Sequence, residues 1–329
     1  MYRLLALAFL ILSLSACDDE TEQGPTYIQL STDSAFFITP LTAFVKGQAY
    51  VNLEDYGKFN TPGLQISEVP DFPALTHETY HQFIVRPVTR EVRTSGEYHF
   101  PLSYLKPETV YYVRIVAHSP WDEIVYNGET FQFTTSTAEI FTDPRDGKTY
   151  ASLVYGGTQW MIENLDFEAP GSAYYDSDPS TSGDGRLYDW QSACTSCPEG
   201  WILPSDSDWQ ALEQYFGIPA DSLGLNGYRG DVVGKTIVPG TFYLSWEQEF
   251  KKGPLYLTNR SGFSILPSGV FYSDNNYYWD KYYFTGFWSS TPSDSLAFAR
   301  IIRPEKHPGI KRTPANIKDK FSVRCIKRL

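Results

Sequence analysis

Between positions 271 and 287 the chain carries Tyr272, Tyr277, Tyr278, Trp279, Tyr282 and Tyr283 among Asp274, Asn275, Asn276 and Asp280. Flat aromatic faces beside amide and carboxylate groups suit a sugar, whose C–H face stacks while its hydroxyls exchange hydrogen bonds. Tyr272, Asp274, Asn275, Asn276, Tyr277, Tyr278, Trp279 and Asp280 are therefore the candidate ligand-binding set. Asp176, Ser177, Asp178 and Asp184 offer the oxygen donors that calcium takes, although loose oxygen clusters in polar loops usually hold no ion. No other cofactor is implied. Catalysis has less to build on. His77, His81, His99 and His118 show no zinc-ligand spacing, and His307 is alone in the rest of the chain. No Ser-His-Asp set and no nucleotide loop is present. Glu163 and Asn164 read as hydrogen-bond partners of loop backbone, with Arg300 or Arg324 neutralising the buried carboxylate. The expectation is a protein that binds and is not an enzyme.

The elements that must position these residues are mostly strands. Of 329 residues, 16% are aromatic, with 24 Tyr and 21 Phe, and Thr/Val/Tyr stretches favour strands over helices. The length allows two domains. A net charge of −12 argues against nucleic acid or acidic lipid headgroups as partners. From 27 to 135, short strands alternate with turn residues: 43–46 up to Gly47, 49–53, 82–85, 110–117 and 130–134. That spacing without helical periodicity predicts a β-sandwich. Thr135-Ser136-Thr137 is a short polar link. Beyond it, 148–155 and 158–162 form a hairpin around Gly156-Gly157. A helix is expected over 185–194 with Leu187, Trp190 and Cys194 on one face. A second, over 205–216, starts at Ser205 with Asp208 three residues on and buries Trp209, Leu212 and Phe216 before Gly217. Trp160, Trp190, Trp201, Trp209 and Trp288 suit a core in which each indole N–H finds a partner.

The start of the chain reads as an export signal. Arg3 precedes the apolar run from Leu4 to Leu14, about half the ~20 residues a membrane-spanning helix needs. Leu14-Ser15-Ala16-Cys17 resembles a bacterial lipobox, which implies cleavage before Cys17 and lipidation of that residue. Several acyl chains on one residue anchor a protein stably. Asp18-Asp19-Glu20 looks like the acidic address of surface-exposed Bacteroidota lipoproteins. The expected location is the outer membrane, held by the lipid anchor and facing the exterior. Exported thiols meet oxidising conditions. With Cys17 acylated, Cys194, Cys197 and Cys325 allow one bridge in three pairings. Cys194-Thr195-Ser196-Cys197 lacks the βαβ surroundings of a redox pair.

Two family resemblances add to this. Leu105-Lys106-Pro107-Glu108-Thr109-Val110-Tyr111 resembles the tyrosine corner of fibronectin type III domains, where the tyrosine hydroxyl bonds nearby backbone. A longer series resembles the Fibrobacter succinogenes major paralogous (FISUMP) domain. It comprises Asp143-x-x-Asp146-Gly147-x-x-Tyr150, Trp160-Met161-x-Glu163-Asn164-Leu165 and Gly185-Arg186-Leu187-Tyr188-x-Trp190. Next come Cys197-Pro198-x-Gly200-Trp201-x-Leu203-Pro204-Ser205-x-x-x-Trp209 and Ser261-Gly262-Phe263-x-x-Leu266-Pro267-x-Gly269. Phe287-Trp288-Ser289-Ser290-Thr291 and Ser322-Val323-Arg324-Cys325 close it. Ile202 replaces the histidine usual in the fourth motif, so no role of that histidine carries over. The resemblance implies an α+β, C-type lectin-like fold whose ends meet, with the aromatic stretch near the long binding loop of that fold. Cys194 lies outside the pattern, so the resemblance pairs Cys197 with Cys325.

The expectation is thus a mainly β, two-domain chain: signal peptide 1–16, acidic tether 17–25, fibronectin type III-like β-sandwich 26–136, and FISUMP domain 139–329. Its expected function is a cell-surface lipoprotein acting as a non-catalytic binding or adhesion module for glycan or a surface protein. The alternative is a structural or assembly subunit of an envelope complex.

Overall fold

The structure, a computed structural model, describes residues 28–51, 62–75, 95–118, 125–239, 241 and 257–329. The expected signal peptide and acidic tether, Cys17, His77, His81 and the strand expected at 82–85 lie outside the described residues. No described helix is long and apolar enough to cross a membrane. The chain is mainly β.

Two sheets account for the first part. One has the order β1 (Ile28–Phe36), β2 (Ala43–Val51), β4 (Ser95–Leu102). The other joins β3 (Gly63–Ser67) to β5 (Val110–His118), which also pairs with β6 (Val125–Asn127) and β7 (Phe131–Thr134). All these pairings are antiparallel. Alternate residues point inward from both sheets: Val45, Phe100 and Leu102 meet Leu64, Val113, Ile115 and Phe133 in one core. Leu, Val and Phe at every second position make such a half-buried face. The sequence reading broke 43–53 at Gly47, yet β2 runs through it. The reason is packing, because a Cβ at Gly47 would collide with the Ile115 side chain and the Ser31 carbonyl. The hydroxyl of Tyr111 accepts the backbone N–H of Lys106 at 2.9 Å.

The remaining chain builds a four-stranded and a seven-stranded sheet. Strands β8 (Glu139–Thr142), β9 (Thr149–Tyr155) and β10 (Thr158–Met161) form a meander, and β20 (Ile326–Arg328) adds to the free side of β10. The second sheet runs β11 (Ser172–Ala173), β12 (Leu187–Tyr188), β19 (Phe321–Ser322), β16 (Thr285–Ser293), β17 (Leu296–Ile302), β18 (Ile310–Asn316), β13 (Gly227–Arg229). A separate hairpin joins β14 (Val270–Tyr272) to β15 (Tyr277–Trp279). Neighbouring residues on the buried strands enter different cores. Trp160, Ile162 and Phe287 join one cluster, while Met161 and Trp288 join the other.

Each core has its helix. Helix α2 (Asp206–Tyr215) sends Trp209 and Leu212 into the first cluster, followed by Phe216. Ser205 and Asp208 close a reciprocal capping box at its start. Helix α1 (Trp190–Ser196) contributes Ala193 to the second. It begins later than the sequence reading placed it. Asp189 is the cap, accepting the N–H of Ser192, while Leu187 and Tyr188 pair with Ser322 and Phe321. A short apolar run fits either state, and here a sheet position claimed it. Cys194 is exposed, away from the face it was expected to share. Of the five expected core tryptophans, three have indole partners: Trp190 to the Ser289 carbonyl, Trp209 to Trp288 and Trp288 to Tyr188.

Cys197 and Cys325 are bridged, with Cα atoms 5.8 Å apart. The bond fastens the end of α1 to the segment leading into β20. A short helix α3 (Val233–Thr236) completes the first core.

Candidate functional site

The aromatics of the hairpin of β14 and β15 differ in exposure, and parity alone does not sort them, because Tyr272, Tyr277 and Trp279 share one face. Tyr277 and Trp279 project from one face, with ring centroids 6.2 Å apart at 87°. Tyr278 points the other way, onto Phe271 (5.0 Å) and Tyr175 (5.4 Å). Tyr277 keeps 59% of its surface in solvent and Trp279 38%. Tyr272, cross-strand from Tyr277, turns its ring to Phe284 and Phe321 and packs against the core. Its hydroxyl is pushed up to about 12 by burial. Tyr272 and Tyr278 are therefore the packed rings of the hairpin, while Tyr277 and Trp279 are its exposed ones, Trp279 with its ring 6.4 Å from that of Tyr272.

The polar residues divide in the same way. Asp274, Asn275, Asn276 and Asp280 are exposed. Asp274 also accepts from the Asn316 amide at 3.3 Å. The turn is fastened from below by Asp319, which takes the N–H and hydroxyl of Ser273 at 2.9 and 2.8 Å. Burial raises the Asp319 carboxyl despite those two bonds. Phe271 and Lys320 exchange both backbone hydrogen bonds. A three-residue hairpin strand has little stability of its own, so these ties hold the outer aromatics in place.

Two of the four calcium candidates, Asp178 and Asp184, are otherwise engaged. Asp178 caps a 3-10 turn, accepting from the N–H and hydroxyl of Ser180. Asp184 pairs with Lys281 at 2.8 Å and accepts the Tyr104 hydroxyl at 3.4 Å. Among the described residues, no three acidic, histidine or cysteine side chains converge on a metal position.

Glu163 accepts the N–H of Ala151 at 2.6 Å, as expected of a carboxylate serving backbone. Burial moves its carboxyl upward against that bond. Of its expected arginine partners, Arg324 acts on it through its charge and Arg300 lies elsewhere. Arg300 bonds Glu213 at 2.5 Å and Asp206 at 2.7 Å. Arg324 is fully buried and donates to Asn164 at 2.9 Å and to the carbonyls of Phe263 and Ser264. Burial pulls the Arg324 guanidinium down to about 9 against the charge interactions with Tyr155 and Glu163, still charged at neutral pH. It holds the 263–264 loop by donating to it.

A cleft of about 640 Å³ opens beside Glu163, between Tyr104, Lys106 and Pro107 on one side and Lys148, Tyr150 and Asp166 on the other. A smaller hollow of about 290 Å³ adjoins it through Tyr104 and Gly183 and is walled by Asp184, Lys281 and Tyr282. Sequence reasoning passed over Tyr104 and Lys281. Each is an ordinary surface residue type, and only folding brings them to Asp184 from 80 and 97 positions away.

The family model for the Fibrobacter succinogenes major domain matches residues 153–327. Among solved structures, the sensor domain of the anti-sigma factor RsgI4 from Pseudobacteroides cellulosolvens overlaps 35% of this chain and 99% of its own in a short form. Identity there is 14% and the TM-score 0.23. Its solution structure overlaps 33% of this chain and 76% of its own, again at 14% identity and a TM-score of 0.23. No curated protein matches the chain.

Proposed function

The chain belongs to the Fibrobacter succinogenes major domain family, and from that membership we propose a lipid-anchored, outward-facing protein that binds glycan without transforming it. The division is a fibronectin type III-like sandwich over 26–136 and a C-type lectin-like head over 139–329. The strand order of the first two sheets and the Lys106–Tyr111 hydrogen bond support the first assignment. Pairing of β20 with β10, which draws the two extremities of the head together, supports the second.

One observation carries the binding function: Tyr277 and Trp279 stand exposed on a hairpin fastened to the core, beside the exposed Asp274, Asn275, Asn276 and Asp280. Aromatic rings left in solvent by a fold that buries Trp160, Trp209 and Trp288 completely are available to stack on a sugar face. The test is a glycan array probed with the full-length protein in detergent. Discrete binding that disappears in a Tyr277→Ala/Trp279→Ala variant is expected, and silence across the array refutes the reading. The anchor is tested by feeding cells labelled palmitate. Cys17→Ala should abolish incorporation, and unchanged labelling would refute it.

A further inference from the structure

The exposed aromatic surface continues past the hairpin. After Trp279, the backbone takes left-handed angles at Asp280 (φ 35°) and Tyr282 (φ 80°). Lys281 thereby reaches Asp184, its ammonium 5.6 Å from the Tyr282 ring, and Tyr282 stays 45% exposed. From the loop after β4, Tyr104 comes to the same carboxylate with φ 58° and 62% of its surface in solvent. Positive φ is costly for a bulky side chain, on the order of 1–3 kcal/mol, and concentrates where a ligand is met. Of the eleven non-glycine residues with positive φ among the described residues, Tyr104, Asp176, Ser177, Asn276, Asp280 and Tyr282 lie on the hairpin or the segments beside it.

The hollow and the cleft continue this surface. The larger, at about 640 Å³, lies within the ordinary range of ligand pockets. The described lysines of both are paired: Lys106 with Glu68 and Lys148 with Asp166 in the cleft, Lys281 with Asp184 in the hollow. An anionic ligand meets no unpaired lysine among these described residues, whereas a neutral polyol can exchange hydrogen bonds with each of the pairs. Glu163 adds carboxylate oxygens at the cleft wall.

We propose that Tyr104 and Tyr282 form the second half of a composite site that runs from the Tyr277–Trp279 hairpin into the cleft and takes an internal stretch of a neutral oligosaccharide. This rests on the reading of the hairpin as a sugar-binding surface. It adds that the first sheets and the later ones grip one ligand chain together, so that length of chain, not a terminal sugar, is recognised.

The test is calorimetric titration of the full-length protein in detergent. The probes are the hexa- and disaccharides of β-1,4-linked glucose, xylose and mannose, with hexagalacturonate as the charged counterpart. At least one neutral hexasaccharide should bind tenfold or more tighter than its disaccharide. Tyr104→Gly suits a positive φ and so spares the fold. It should weaken the hexasaccharide about tenfold and leave the disaccharide nearly unchanged, while Tyr104→Phe keeps most of the affinity. Hexasaccharide binding unaltered in Tyr104→Gly but lost in Trp279→Ala overturns the composite site and spares the hairpin. Tighter binding of hexagalacturonate overturns the neutral ligand class. Silence toward every probe overturns both readings.

Discussion

Replacing Glu213 by Gln should destabilise the protein more than replacing Arg300 by Met, although Arg300 is the fully buried hub of its cluster. Five charges meet there. Asp206 and Glu213 come from α2, Arg229 from β13, Arg300 from β17 and Arg312 from β18. Arg300 reaches Glu213 at 2.5 Å and Asp206 at 2.7 Å. Arg229 adds a 3.0 Å bond to Glu213, and Arg312 a 2.9 Å bond to Asp206. Three guanidinium groups thus share two carboxylates. Arg312 offsets the surplus through neutral contacts, with the Asn226 side chain at 2.6 Å and the Phe298 ring at 3.7 Å. Arg300→Met loses charge-assisted bonds but leaves Asp206–Arg312 and Glu213–Arg229 balanced one to one, for a cost of about 2 kcal/mol. Glu213→Gln leaves three buried cations around one carboxylate, and breaking a buried pair in that way costs roughly 3–5 kcal/mol. Urea unfolding followed by tryptophan fluorescence reads the difference, since seven of the eight tryptophans lie beyond residue 139. An Arg300→Met variant as unstable as Glu213→Gln would refute the charge count. The pH dependence offers an internal check. Burial pushes the Asp206 carboxyl up, but Arg312 and Arg300 outweigh it and hold it below its ordinary value of 3.8. Its contribution is therefore present above that value and lost as pH falls through the lowered one. The gap between wild type and Asp206→Asn should shrink over that same acid range.

Two other outcomes follow from covalent and capping geometry. Cys325→Ser opens a cross-link spanning 128 residues, worth about 5 kcal/mol in the chain-entropy model. A shift of the urea midpoint equal to that caused by reductant on the wild type is expected, and no shift in either case would refute the bridge. Ser205→Ala removes one half of the capping box and should cost about 1 kcal/mol in the same assay, with no change in oligosaccharide titrations.

Local grammar made much of this fold legible. Gly156-Gly157 between two apolar runs is a hairpin turn in the structure, and Ser205 with Asp208 caps the helix predicted to follow. Both signals act over three or four residues, within reach of periodicity and turn chemistry. Leu187 escaped that grammar because its state is decided by Ser322, 135 positions away. Gly47 misled for a similar reason, a turn residue by type whose need is room for Ile115. In the candidate site, the aromatic stretch was visible as composition, but which rings pack depends on Phe321 and Tyr175, which lie outside it. The Tyr104–Asp184–Lys281 junction left no signature at all, since no local rule links residues so far apart.

Strand β20 has a consequence for the making of the protein. Until residues 326–328 join, the outer margin of β10 offers bare amide and carbonyl groups to any passing strand. Over the same interval Cys197 has no mate, because Cys325 arrives just ahead of that strand. A product of interrupted synthesis that stops short of position 325 is accordingly both adhesive and thiol-reactive. Such fragments should be caught as mixed disulfides and cleared by proteolysis before they accumulate.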